Sequence, residues 1–526
     1  MAENKAPTPA VTAAEMRYAL ALIVAPEDAA RLKRSGLLRG SQLTQRRITS
    51  TYYDTRKNEL QRRTLALSVR REGRRVLETL EAMPGSAAAS GERPMWQTPL
   101  TRPVPDLKPL AKVDGIGKLE DEPLKPVFTC RLRRSRAVLE PDGAAVALSF
   151  DEGEIRTRGG RKLPVSEIEL ELQQGTPRAV FTLANALADE APVRVEMRSK
   201  AARGYALAKR AEPRDASATT RFGAVDLHRG MAAEDALAVI LRRCLAHLLA
   251  NEPAARAGKE EGVHQMRVAL RRLRVALQLF RSMLPEAERG WVSGEVKWLA
   301  SALGRARNWD VVNGLIRRVR TGMVDDRDLA ALARAAERER RRAYDALRGV
   351  LATRRYTQFT LSFMGWIETR AWRRPGALET SILQVSVIGK LADEVLERRY
   401  RKTRSSRARN FDRLGTVGRH RLRIALKKIR YAAESFASIY ADKAVRRYVR
   451  HVETLQDGLG QLNDIASSER LLRNLVQRRP SQALIRADAL VRGWCAHVAL
   501  ECEPALKKGL KRLKKAEPFW RRPAKD

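Results

Sequence analysis

Two kinds of hydrophobic pattern divide this chain. From about Glu15 to Leu207 apolar and polar residues alternate in short runs, the period of two that turns successive side chains to opposite faces of a strand. SEIELELQQG is the clearest case: Glu167, Glu169 and Glu171 alternate with Ile168, Leu170 and Leu172, so the three carboxylates share one face. LALSVRREG, RRVLETLEA, TCRLRRSR, AVALSFDEG and VRVEMRSK predict further strands, PEDAARLKRS and PRAVFTLANALADE predict helices, and PGSAAASGERP predicts a loop. An open sheet would not protect such rows of carboxylates and arginines, so the pattern points to a sheet closed around a polar interior. AEPRDASATTRFGA then reads as a polar linker, and beyond it long helical patterns take over. The divisions expected are a disordered N-terminus over 1–13, a strand-rich domain over 14–208, a linker over 209–225, a helical domain over 226–515 and a basic tail over 516–526.

The helical region contains the same unit twice. HQMRVALRRLR begins at His264 and HRLRIALKKIR at His420. At the third, seventh and tenth positions after each His stand Arg267, Arg271 and Arg274 in one copy and Arg423, Lys427 and Arg430 in the other. At about 100° per residue each His and its three bases fill an arc of roughly 80°. Met266, Ala269, Leu270 and Leu273, and their counterparts Leu422, Ala425, Leu426 and Ile429, form the opposite, apolar stripe. The register persists downstream: Leu303 and Gly304 lie 39 and 40 residues after His264, as Leu459 and Gly460 do after His420. This is an internal duplication.

Neither eleven-residue segment contains an acid. A solvated basic face is the plain reading of one such helix, but solvated helices normally mix Glu with Lys to limit self-repulsion, and these omit the acids twice in register. The stripe is mostly Arg, whose planar fork donates two hydrogen bonds to a phosphate, and a His beside phosphate adds charge on binding. Arg305 and Arg307 follow the first Leu-Gly pair, read as a turn, and ERERRRAYDALRG and RRYRKTRSSRARN add further basic faces. Asp310 and Asp464, after the two Leu-Gly turns, read as structural, capping a helix or orienting an Arg. KKGLKRLKKAEPFW reads either as a basic amphipathic helix or as a frayed charged end.

Composition sharpens this picture. The 526 residues suggest two or three domains, and 102 Lys and Arg against 61 Asp and Glu give a formal charge of +41, which favours a polyanionic partner. With 44% apolar residues the chain is not a disordered basic tail, and 5% aromatic residues argue against single-strand binding by base stacking. The four cysteines show no metal spacing and fit a reducing compartment, and no run of apolar residues is long enough to span a bilayer, so a soluble cytoplasmic protein is expected.

The paired segments GVHQMRVALRRLR with LGRARNWDV, and HRLRIALKKIRYAAE with LQDGLGQLND, resemble the CHAD domain over about residues 226–515. The resemblance implies two four-helix bundles related by pseudo-twofold symmetry, with a basic cavity that binds inorganic polyphosphate. It makes His264, Arg267, Arg271, Arg274, His420, Arg423, Lys427 and Arg430 phosphate ligands, with Arg272 and Lys428 at the margin. STYYDTRKNELQRRTLALSVRREG, SEIELELQQG and RSKAARGY resemble the CYTH domain, an eight-stranded antiparallel tunnel barrel for triphosphate, over about residues 14–208. The whole is thus expected to be a multidomain α+β protein, a barrel followed by an all-α domain.

In the CYTH family an E-x-E-x-K first strand supplies metal-binding carboxylates and a lysine. Here EMRYA keeps Glu15 but puts Arg17 and Ala19 in the other two places, and Ser68, Glu81, Met95 and Gln97 depart from the family in the same way. Glu15, Arg70, Arg133, Glu167, Glu169, Glu171, Arg198 and Lys200 are expected to line the tunnel. Losing both metal ligands and cations is expected to cripple two-metal hydrolysis. The leading expectation is a non-catalytic polyphosphate-binding protein that needs no cofactor, with polyphosphate granules as a further candidate partner. The alternative is a Mg- or Mn-dependent inorganic triphosphatase, with Glu169 and Glu171 on the metal. A nucleic-acid-binding or granule-surface protein rests on charge alone.

Overall fold

The computed structural model describes residues 15–83, 92–111, 113, 116–119, 122–209, 218–321, 327–373, 378–403 and 415–521. The N-terminal stretch expected to be disordered lies outside them. The chain forms two compact units, one of residues 1–218 with 352–371, the other of residues 219–351 with 372–526.

The first unit is built on antiparallel strands in the expected alternating segments. In chain order these elements are β1 (Glu15–Val24), α1 (Pro26–Leu32), β2 (Thr44–Thr55), α2 (Glu59–Arg62), β3 (Leu65–Glu72), β4 (Arg75–Ala82) and β5 (Glu92–Pro99). They continue with β6 (Leu124–Leu139), β7 (Ala145–Thr157), β8 (Lys162–Gln174), α3 (Pro177–Glu190), β9 (Val193–Glu196) and α4 (Lys200–Ala208). The order β5-β4-β3-β2-β6-β7-β8-β1 closes through pairing of β5 with β1, giving an eight-stranded barrel, and the short β9 pairs with the second half of β1. Closure removes the sheet edges and lets polar side chains face one another inside. On β7 and β8 the even-numbered residues Leu148, Phe150, Ile168 and Leu170 are buried on the outer side, and the odd-numbered Ser149, Asp151 and Glu167 are buried on the inner side. On these two strands polarity, and not burial, therefore marks the interior. Helix α4 starts where Ser199 Oγ accepts a hydrogen bond from Ala202 N, which fixes Lys200 in its first turn. A Cβ on Gly204 would come within 2.0 Å of the Phe128 ring, so only glycine lets α4 seat there.

The second unit contains α5 (Ala233–Arg256), α6 (Glu260–Leu279), α7 (Glu286–Thr321) and α8 (Arg327–Leu351). The next helix, α9 (Arg354–Glu368), belongs to the first unit: Gly365 packs on Phe181 of α3, and Thr357 Oγ1 donates to Val193 O at 3.0 Å. The chain then returns through α10 (Leu378–Val385), α11 (Ile388–Thr403), α12 (Thr416–Ser435), α13 (Asp442–Arg478) and α14 (Gln482–Lys515). Its return is pinned by buried Trp372, whose indole N–H donates to Glu234 at 2.8 Å.

The duplication is visible as two sets of four helices, α5–α8 and α11–α14. Helices α6 and α12 each have 20 residues, and α7 and α13 have 36 and 37. Each helix packs on its own counterpart, α6 on α12, α7 on α13 and α8 on α14, the arrangement a twofold axis imposes. Phe280 and Phe436, each sixteen residues after its repeat's His, meet edge to face with ring centroids 6.2 Å apart, beside that axis.

Three readings of the sequence change. The Leu-Gly pairs are not turns, because α7 and α13 run through them unbroken. The segment read as linker is tied down where it is described: Thr220 N donates to Asn251 Oδ1 at 2.9 Å, and Val225 is buried, although residues 218–221 are exposed. The segment read as a basic tail folds back, with Phe519 and Trp520 buried among Tyr440, Tyr448 and Tyr400, while residues 522–526 lie outside the described set. Leu506, Leu510 and Leu513 are buried too, so the apolar face of the terminal basic helix is used within the unit. Among the described residues no helix is long and apolar enough to cross a membrane.

Candidate functional site

Each unit encloses a polar cavity, and the two differ in how their charges are paired. The barrel cavity has a volume of about 400 Å³. Of the expected tunnel residues, Arg70, Glu167, Glu169, Glu171, Arg198 and Lys200 line it. Arg133 does not. On β6 the inward phase is Cys130, Leu132, Arg134, so Arg133 points outward, 59% exposed, and pairs with Glu152 at 2.6 Å. Arg134 takes the inner place. Glu15 opens β1, and its side chain lies outside the described residues.

Cross-strand neighbours Arg134, Asp151 and Glu167 stand in a row on β6, β7 and β8. Arg134 forks onto both oxygens of Asp151 at 2.7 Å, and Lys200 Nζ lies 2.9 Å from Asp151, 2.8 Å from Glu169 and in contact with Glu167. Arg203 also holds Glu167. Arg17 reaches across from β1 to Glu169 and, at 2.5 Å, to Glu171. Burial alone would raise the Glu169 carboxyl, but Lys200, Arg17 and Arg134 hold it well below the usual carboxylate range. Asp151, Arg134 and Arg203 were missed in the sequence. The signal for them was strand phase, since Arg134 shares parity with buried Cys130 and Leu132.

A Mg or Mn ion requires carboxylate oxygens free to approach to about 2.0–2.2 Å. One oxygen each of Asp151, Glu167 and Glu169 lies within 4.8 Å of the others, the spacing an ion would use. All three carboxylates, and Glu171 with them, are already held by side-chain cations, so this donor set does not fit a divalent ion.

The helical cavity is larger, about 930 Å³, and is walled by α6, α7, α12, α13 and α14. It brings together His264, Arg271, Arg272, Arg307, Arg423, Lys427 and Arg430. It leaves out His420, Arg274 and Arg305, which are exposed. Lys428 is set against Arg399 and Lys402 of α11, away from the lining. Arg267 lies behind the lining, where its guanidinium donates to Ala300 O at 3.3 Å. The cavity draws on α14 and not on α8, so it sits to one side of the pseudo-axis, and that is why one copy's His enters and the other's does not.

The lining mixes seven arginines and lysines with six carboxylates, so the cations alone do not describe it. Several are paired: Arg307 with Glu260, Arg272 with Glu434, and Arg430 with Glu434 at 2.7 Å and Glu453 at 2.8 Å. Asp310 is buried and holds Arg340 at 2.8 Å. Arg271, Arg423 and Lys427 are different. Among the described residues no carboxylate forms an ion pair with them, although Asp464 in the same lining attracts Arg423 and Lys427 from further off, and the Nε atoms of Arg271 and Arg423 are buried without a hydrogen-bond partner. Burial, then Arg423 and Arg271, brings the Lys427 ammonium down to about 8. Burial, then Arg271 and Arg307, brings Arg267 down to about 10, and burial with Arg307 and Arg271 lowers His264. These are crowded cations, and an anion placed among them relieves the repulsion.

Family models match this chain twice: one described as CYTH domain over residues 20–205, and one described as CHAD domain over residues 239–473. A protein of Haemophilus influenzae named inorganic triphosphatase is 28% identical over 161 residues, which are 30% of this chain and 46% of that protein. The chain thus spans about half the length of that relative. An uncharacterized protein of Mycobacterium tuberculosis is 24% identical over 514 residues, covering 92% of this chain and 93% of the other. The crystal structure of the CHAD domain from the plant Ricinus communis superposes with a TM-score of 0.48 at 29% identity, covering 56% of this chain and 96% of that one.

Proposed function

We propose that this chain, which carries a CYTH domain followed by a CHAD domain, binds inorganic polyphosphate in the helical cavity and hydrolyses no triphosphate in the barrel. The observation that carries the reading is the cluster of Arg271, Arg423 and Lys427, half-buried cations without carboxylate partners. Polyphosphate supplies a row of oxygens to such a cluster, and the +41 charge speeds its approach. The reading needs no cofactor.

The test is a titration of the full chain with long-chain polyphosphate at rising salt. Affinity is expected to fall steeply with salt, as counterion release dictates for a linear polyanion. Arg271→Glu and Lys427→Glu are expected to weaken binding at least tenfold, and unchanged affinity in both would end the assignment. Duplex DNA added as competitor is expected to lose to polyphosphate; if it wins, the partner is nucleic acid.

A second reading, a Mg- or Mn-dependent triphosphatase, is favoured by the likeness to the Haemophilus protein and by the spacing of Asp151, Glu167 and Glu169. It predicts phosphate release from tripolyphosphate that Glu169→Gln abolishes. No turnover with either metal across a range of pH rejects it.

A further inference from the structure

We propose that Arg17 is a built-in cation that holds the place of a divalent ion in the barrel and keeps the cavity from loading one. This rests on the reading of the barrel as non-hydrolytic and gives its physical cause.

Four carboxylates, Asp151, Glu167, Glu169 and Glu171, face four cations, Arg17, Arg134, Lys200 and Arg203, in ion pairs closer than 3 Å, with Arg136 standing off at 3.9 Å from Glu171 outside this inner set of eight. The formal sum is zero. Adding a divalent ion to a neutral, largely buried cluster leaves two uncompensated positive charges where solvent screens them poorly. A guanidinium stays protonated at any pH the fold survives, so no change of pH vacates the place.

Arg17 is singled out by position. It bridges Glu169 and Glu171, one cation across both carboxylates. Its side chain is 25% exposed, against 12% for Arg134, 14% for Lys200 and 7% for Arg203, so it is the member of the four whose side chain solvent reaches most. Arg17→Glu changes the formal sum from zero to minus two, which one divalent ion neutralises. Arg17→Gln changes it to minus one and frees the same oxygens.

The experiment titrates the full chain with Mn²⁺ alone, following free ion by electron paramagnetic resonance, without polyphosphate. The unaltered chain is expected to bind no Mn²⁺ that Glu169→Gln removes. Arg17→Glu is expected to gain one tightly held Mn²⁺ per chain, Arg17→Gln a weaker one, and both gains are lost when Glu169→Gln is added. The proposal is overturned if the unaltered chain holds Mn²⁺ in a manner sensitive to Glu169→Gln. It is also overturned if the variants, folded by circular dichroism, bind no more than the unaltered chain, or if neither folds, since Arg17 would then be a structural tie. Polyphosphate affinity is read separately on the same variants and is expected to be unchanged, so failure here and failure of the cavity assignment are distinct results.

Discussion

Replacing Lys427 with Met should make the free protein more stable and its polyphosphate complex weaker. The ammonium sits at about 8 in the folded chain against an ordinary 10.5, because burial, Arg423 and Arg271 oppose its charge more than Asp464 favours it. A base with its folded pKa below its unfolded one binds fewer protons when folded. Its penalty is therefore absent above about pH 10.5, grows as pH falls toward 8, and is complete at neutral pH. The gap corresponds to about 3.4 kcal/mol at about 1.36 kcal/mol per pH unit, and solvent at the part-exposed side chain reduces this to about 1.5 kcal/mol. Methionine keeps the apolar stem and removes the charge. Urea unfolding of the full chain, followed by helical circular dichroism, should show Lys427→Met more stable by about 1–2 kcal/mol near pH 7, with the gain shrinking above about pH 8 and gone by about pH 10.5. Polyphosphate affinity should fall about tenfold or more, the loss of one charge-assisted contact. A variant that is less stable at neutral pH, or that binds polyphosphate as well as the parent, would refute the reasoning, because Lys427 would then have a partner within the fold.

Three further outcomes follow from the same pairings. Arg423→Glu should weaken polyphosphate binding and lower its salt dependence by about one or two charges, whereas exposed His420→Ala and Arg305→Ala should leave titrations unchanged. Asp151→Asn leaves Arg134 and Lys200 short of a buried partner and should destabilise the first unit by about 3–5 kcal/mol, measured as loss of β-sheet signal on denaturation. Asp151 and Glu169 are held below their ordinary values, Asp151 by Lys200 and Arg134, Glu169 by these and Arg17, in both cases against burial. The stability they contribute should be present above about pH 4 and lost as pH falls through their folded values, seen as acid unfolding of the barrel before the helices.

The barrel was legible because β8 displays its alternation openly, and the helical unit because its register is written twice. The errors have physical causes. TCRLRRSR offers four arginines, Arg131, Arg133, Arg134 and Arg136, and the inward phase is set by Cys130 and Leu132, apolar residues that also line the cavity. Gly304 resembled a turn residue, but it sits mid-helix where a Cβ would lie 2.9 Å from Arg267 Nη1, so its lack of a side chain makes room for that guanidinium. His420 matched His264 in sequence, yet the cavity lies off the pseudo-axis and takes only one of them. Pairing state was beyond the sequence altogether: whether a cation has a carboxylate partner depends on residues such as Glu434 and Glu453, brought in by packing.

That pairing state decides where an anion goes. Net charge attracts a polyanion to the whole surface and cannot choose between two cavities that both contain arginines. In the barrel, triphosphate competes for Arg17, Arg134 and Lys200 with the carboxylates that already hold them, and breaking such a buried pair costs about 3–5 kcal/mol. To enter the helical cavity it meets Arg271, Arg423 and Lys427, whose mutual repulsion is already present in the empty state, so the first phosphate removes a cost instead of adding one. A chain length that fills the larger cavity should therefore bind tighter per phosphate than tripolyphosphate. Isothermal titration across defined chain lengths measures this, and equal affinity per phosphate at every length would place the anion on the outer surface.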